Sequence, residues 1–125
     1  MDPSLLDQAV ARRAIFDLRA LGVETLDLPE IEVTRVPEGA TVIDLRPRQE
    51  YASWHYPQAL RLDFRRALEA YPSFDRTRTY VLYCDLSLMS SHLAELMRKD
   101  GFDAFYFKGG TSALRAMATR AATER

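Results

Sequence analysis

Three short runs of β-branched, aromatic and aliphatic residues, at 41–45, 79–83 and 104–107, are each followed by a stretch with helical character. That alternation restricts the fold more than any other feature of the sequence. Strands joined by helical crossovers run parallel, and the helices then cover both faces of the sheet. Between the first two runs, Pro47 opens a short helix containing Glu50 and Tyr51, and a shorter strand at 60–62 precedes a short helix around 65–70. After Cys84 comes a helix with Leu93, Leu96 and Met97 on its inner side and Glu95, Arg98 and Lys99 outside. Gly101 supplies its left-handed stop. Gly109-Gly110 turns the chain into a closing, alanine-rich helix at 112–122.

Upstream, Asp2-Pro3 caps a helix bearing Leu5, Leu6, Ala9, Val10 and Leu18, with Gly22 at its end. Pro29 and Pro37 make 26–37 an extended edge segment. The expected architecture is therefore one α/β domain with a central, mostly parallel sheet flanked by helices. Residues 1–28 would be an N-terminal helical extension and 29–125 the core. A chain of 125 residues, 47% hydrophobic and 28% charged, suits one core and would be cramped as two.

Charge and cysteine content narrow the function. A net charge of −1 offers no basic footprint, so strong direct binding to nucleic acid is not expected. No apolar run is long enough to span a bilayer, and the first residues lack the order of a signal peptide, which points to a cytoplasmic protein away from membranes. The single cysteine rules out an internal disulfide, and a reducing compartment would keep its thiol free. His55 and His92, without acidic or thiol neighbours at ligand spacing, suggest structural roles, so neither a metal nor a cofactor is expected.

Cys84 is the residue of interest because of where it falls. In sheets of this kind ligands bind outside the carboxyl ends of the strands, and Cys84 ends the run at 79–83. The residues after it, Asp85, Leu86, Ser87, Leu88, Met89 and Ser90, join a strand to a helix start. A loop there can turn its N–H groups inward, reinforced by the helix N-terminus, and stabilise a thiolate or a persulfide. Position alone leaves a second reading open, because a cysteine after a strand also serves as a small buried hydrophobe.

Three motifs in order resemble the rhodanese family. Val42-Ile43-Asp44-Leu45-Arg46, followed by Glu50-Tyr51 and His55-Tyr56-Pro57-Gln58-Ala59, is similar to its first signature. The stretch 80–90 is similar to the active loop, and 105–113, with Gly109-Gly110, to the closing motif. Pro29-Glu30-Ile31-Glu32-Val33, Trp54-His55-Tyr56-Pro57, 91–97 and Lys108-Gly109-Gly110-Thr111 resemble more narrowly the C-terminal rhodanese domain of the tRNA 4-thiouridine sulfurtransferase (ThiI) family. The resemblance implies a three-layer rhodanese-like fold and a sulfurtransferase. In it Cys84 would receive persulfide sulfur from a cysteine desulfurase. A thiolation enzyme or domain would accept it, for 4-thiouridine in tRNA or for thiazole in thiamine biosynthesis. The ATP-using and RNA-binding domains of that family have no counterpart in these residues.

The departures from the pattern are informative. Ser87 stands where the family usually has glycine, so the loop is strained or reshaped if that position needs positive φ. Met89 stands where thiosulfate-using members often carry arginine, which removes a fixed cation for a dianionic donor. Trp54 and Gln58 replace glycines of the first signature, outside the loop. Ser90 occupies the place where phosphatases of the same architecture need arginine, and without that guanidinium a phosphate ester loses its main ligand. Asp44 and Arg46 would brace the loop as an ion pair, or stand as solvated strand ends. Arg46, Arg48, Lys108 and Arg115 would make a basic patch if they met at the loop mouth. A catalytically weak, rhodanese-like protein-binding module is the alternative to a sulfurtransferase.

Overall fold

The computed structural model describes residues 30–123. The expected helix over the first residues lies outside them. Five parallel strands form one sheet in the order β1-β5-β4-β2-β3. They are β1 (Glu32–Val33), β2 (Thr41–Asp44), β3 (Leu60–Arg61), β4 (Thr79–Tyr83) and β5 (Asp103–Phe107). The helices are α1 (Arg48–Ser53), α2 (Phe64–Ala70), α3 (Leu88–Lys99) and α4 (Gly110–Thr123), with a 3-10 turn at Tyr71–Ser73. The expected α/β architecture is the observed one. The proline-bounded segment contributes β1, which lies at the sheet edge, as an extended piece of chain with two prolines should.

Period-2 alternation along the strands builds two cores. Ile43, Leu45, Tyr80, Leu82 and Cys84 face one side, where Ala67 of α2 and Leu93, Ala94 and Met97 of α3 cover them. Val42, Val81, Tyr83, Phe105 and Phe107 face the other, under Leu114 of α4 with Tyr51 and Trp54 nearby. Tyr83 and Cys84, adjacent in sequence, therefore serve opposite layers. Central strand β4 lies between β2 and β5, with Val81, Leu82 and Tyr83 wholly buried. The ladder continues beyond β2, since Leu45 N–H donates to the Tyr83 carbonyl at 3.0 Å. This holds residues 42–46 beside the end of β4, where Cys84 follows.

One side chain departs from its expected orientation. Arg98, placed by periodicity on the outer face of α3, lies over the Phe105 ring at 4.7 Å and donates to the carbonyls of Ala104 and Glu30. A long stem lets a guanidinium leave its own helix face and satisfy carbonyls beyond it.

Candidate active site

Cys84 lies at the carboxyl end of β4, 8% exposed, with the loop 85–87 and the first turn of α3 wrapped over it. The expected cradle is thus divided: Asp85, Leu86 and Ser87 form the loop, while Leu88, Met89 and Ser90 are already helical. Ser90 is the member that meets the sulfur. Its N–H donates to Sγ at 3.4 Å, and its Oγ lies 3.4 Å from the same atom. Ser90 is wholly buried, so both groups face the sulfur without competition from bulk water. Because Ser90 belongs to the first turn of a twelve-residue helix, its N–H is one of the groups that has no partner within the helix. A thiol, a thiolate or a persulfide can take that place.

Ser87 does occupy the left-handed region, at φ 63° and ψ 0°. The turn therefore keeps the shape a glycine would give it. A non-glycine residue in this conformation costs roughly 1 kcal/mol, and a hydrogen bond from Ser87 Oγ to the Phe107 carbonyl at 3.2 Å opposes that cost. Gln58, also in place of a family glycine, is left-handed too, with φ 66°. Both substitutions preserve the backbone and change only what it carries.

Beneath the loop lies a buried polar network. Asp44, wholly buried, accepts from Arg46 N at 2.8 Å, from Arg46 Nη2 at 2.9 Å and from Tyr83 Oη at 2.5 Å. Asp44 and Tyr83 are register partners on β2 and β4, so their side chains share a face. Arg46 donates further to the Trp54 carbonyl and approaches Asp85 of the loop at 3.8 Å. Burial opposes the charge on Arg46, but its hydrogen bonds and attraction to Asp44 prevail and hold its pKa above the ordinary value. Burial, and then the hydrogen bond to Asp44, push the Tyr83 hydroxyl well above the usual tyrosine range.

Gly110 closes the site from the far side. Its φ is +70°, and a Cβ there would lie 2.1 Å from the Asp85 carbonyl oxygen, so α4 starts against the loop only because this residue has no side chain. Three of the four residues of the supposed basic patch have partners of their own. Arg46 is engaged as described, Lys108 lies 3.8 Å from Glu32, and Arg115 lies over the Trp54 ring at 5.6 Å. His55 stacks on Tyr51 and bonds its carbonyl through Nδ1 at 2.9 Å, while His92 is exposed beside Phe64. No group of three or more histidine, cysteine or acidic residues among the described ones could hold a metal ion. No helix among the described residues is long and apolar enough to cross a membrane.

Sequence reasoning did not find Tyr83 or the contact made by Gly110. Alternation could have placed Tyr83 opposite Cys84 on the face of Asp44. The close approach of Gly110 to Asp85 joins segments remote in sequence, and only the fold reveals it.

A strand-end cysteine under a helix N-terminus, beside a buried aspartate–arginine pair, is the site this fold presents, and the comparisons identify the family of the chain. The Rhodanese-like domain model matches residues 32–117, and the chain belongs to that family. Among relatives, a tRNA sulfurtransferase of Pyrobaculum aerophilum is 38% identical over 76 residues, covering 61% of this chain and 16% of the relative. One from Thermoplasma acidophilum is 31% identical over 94 residues, covering 68% and 19%. The chain thus spans less than a quarter of the length of these relatives. A rhodanese-related protein of Thermoplasma volcanium shares the fold, with TM-score 0.58 at 19% identity over 63% of this chain and 80% of its own. A Rhodanese_3-like domain from Anabaena has TM-score 0.54 at 26% identity, covering 62% and 92%.

Proposed function

We propose that this chain is a rhodanese-type sulfurtransferase module that carries sulfur as a persulfide on Cys84. A cysteine desulfurase supplies the sulfur, and a thiolation enzyme or domain receives it for tRNA thiolation or thiazole synthesis. The observation that carries the reading is the Ser90 N–H and Oγ, both 3.4 Å from Sγ at the N-terminus of α3. The N–H donates to Sγ, and the Ser90 hydroxyl, which accepts from the thiol, can turn to donate to an anionic sulfur in its place. The relatives named tRNA sulfurtransferase support a sulfurtransferase role.

In the first step the Cys84 thiolate attacks the terminal sulfur of the donor persulfide. The new S–S bond forms on Cys84 as the donor's S–S bond breaks, and the donor leaves as a thiolate. In the second, the Cys84 persulfide gives up that terminal sulfur to an acceptor by the same exchange in reverse. No outside oxidant is needed. As the only cysteine, Cys84 has no resolving thiol in its own chain, so the acceptor must be another molecule or domain. Free thiosulfate suits the site poorly, because half-exposed Met89 stands where a cation would bind it. The left-handed turn at Ser87 supports catalysis over a binding module, since the loop keeps its shape without glycine.

Incubation with a cysteine desulfurase and cysteine, followed by intact-mass measurement, tests the proposal. Wild type should gain one sulfur atom that reduction removes, and Cys84→Ser should gain none. A folded wild type that gains no sulfur would overturn it.

A further inference from the structure

The sulfur site is rimmed by apolar side chains directed at solvent. Leu86 is 89% exposed, Leu88 78% and Met89 50%, while Cys84 among them is 8% exposed. They are three of the five large hydrophobic residues left exposed among the described ones; the other two, Leu60 and Leu68, stand on β3 and α2. Single exposed leucines are ordinary, but three within four consecutive residues beside a reactive atom form a patch. The presentation is also built into the backbone. Ser87 separates the leucines in a left-handed turn held by its Oγ to the Phe107 carbonyl, and its own carbonyl accepts from Ser91 N at 3.0 Å.

Charge narrows the occupant. Asp85, half-exposed and 3.8 Å from the Arg46 guanidinium, is the one charged residue in 84–91, so this stretch presents apolar side chains with one carboxylate at their edge. Residues 84–91 offer no cation to a small anionic sulfur donor and gain nothing from a hydrophilic one. The patch offers on the order of a few hundred Å², against about 800 Å² per partner in a stable complex. That suits a contact made and released at each transfer better than a lasting dimer.

We propose that Leu86, Leu88 and Met89 form a docking collar for a protein that presents its persulfide cysteine on an apolar-flanked segment, with a basic side chain facing Asp85. This rests on Cys84 as the sulfur carrier and specifies with what it exchanges. The docked partner's terminal sulfur moves to the Cys84 thiolate, and the partner keeps its own cysteine as a thiolate.

The test compares two donors by time-resolved intact mass: a cysteine desulfurase with cysteine, and glutathione persulfide. The ratio of loading by the desulfurase to loading by glutathione persulfide should fall at least tenfold in Leu86→Ser/Leu88→Ser. It should stay at the wild-type value in Leu60→Ser, where an equally apolar exposed residue lies on β3. An unmoved ratio in the double variant, an equal fall in Leu60→Ser, or a wild type loaded by the small persulfide alone would each remove the collar while leaving the carrier role intact. Failure of both donors to load wild-type Cys84 would remove the carrier role and the collar together.

Discussion

Below the loop of Cys84 and above it, the protein follows opposite rules. Below, Asp44, Arg46 and Tyr83 are charged or polar and buried, and each carries named partners. Above, Leu86 and Leu88 are apolar and left in water. Each arrangement is unfavourable unless something compensates. The lower one is compensated within the chain, by hydrogen bonds that satisfy every oxygen of Asp44. The upper one has no compensation among the described residues, and the proposed docking collar would supply it. The contrast separates what supports the loop from what the loop presents to solvent.

Substitution below the loop should damage stability first. Asp44→Ala leaves the Arg46 guanidinium buried without its main partner, and stability in urea should fall by about 3 to 5 kcal/mol. A loss under 1 kcal/mol would mean that Arg46 turns to Asp85 or to water, and that the network is not a foundation. At the junction of the two regions, Gly110→Ala places a methyl group against the Asp85 carbonyl. It should cost about 2 kcal/mol and change the alkylation rate of Cys84, since the loop must shift to admit it.

Tyr83→Phe removes one donor to Asp44 and should cost about 1 kcal/mol at neutral pH. It should also alter the alkaline limb of the stability curve. The fold holds the Tyr83 hydroxyl protonated to higher pH than the unfolded chain does, so its contribution is whole below about pH 10 and is lost progressively above that. The phenylalanine variant should therefore decline less steeply above pH 10 than wild type in matched urea titrations. The smallest effects belong to Ser87. Ser87→Ala keeps the left-handed strain and loses the bond to Phe107, costing about 1 kcal/mol. Ser87→Gly loses the bond and the strain together and should stay within about 0.5 kcal/mol of wild type. If alanine and glycine prove equal, the turn carries no strain for the hydroxyl to offset.

Much of the architecture was legible because the pattern that encodes it is local. The strands at 79–83 and near 41–45 declare themselves by composition, the left-handed stop at Gly101 by residue type, and the place of Cys84 by the junction between a strand and a helix. Arg98 was misread because helical period gives the direction of Cα–Cβ and not the reach of a long side chain. The partners of Lys108 and Arg115, Glu32 and the Trp54 ring, were hidden for a related reason: sequence spacing does not reveal them.

The sequence alone determined the alternation of strands and helices, the single thiol and its position after a central strand, because hydrophobic period and turn chemistry are properties of neighbouring residues. Only the tertiary structure decided that Ser87 takes a glycine's conformation, that Tyr83 and Arg46 converge on Asp44, and that Gly110 lets a distant helix meet the loop. Those are contacts between segments brought together by packing, and their distances are set by the shape of the whole sheet.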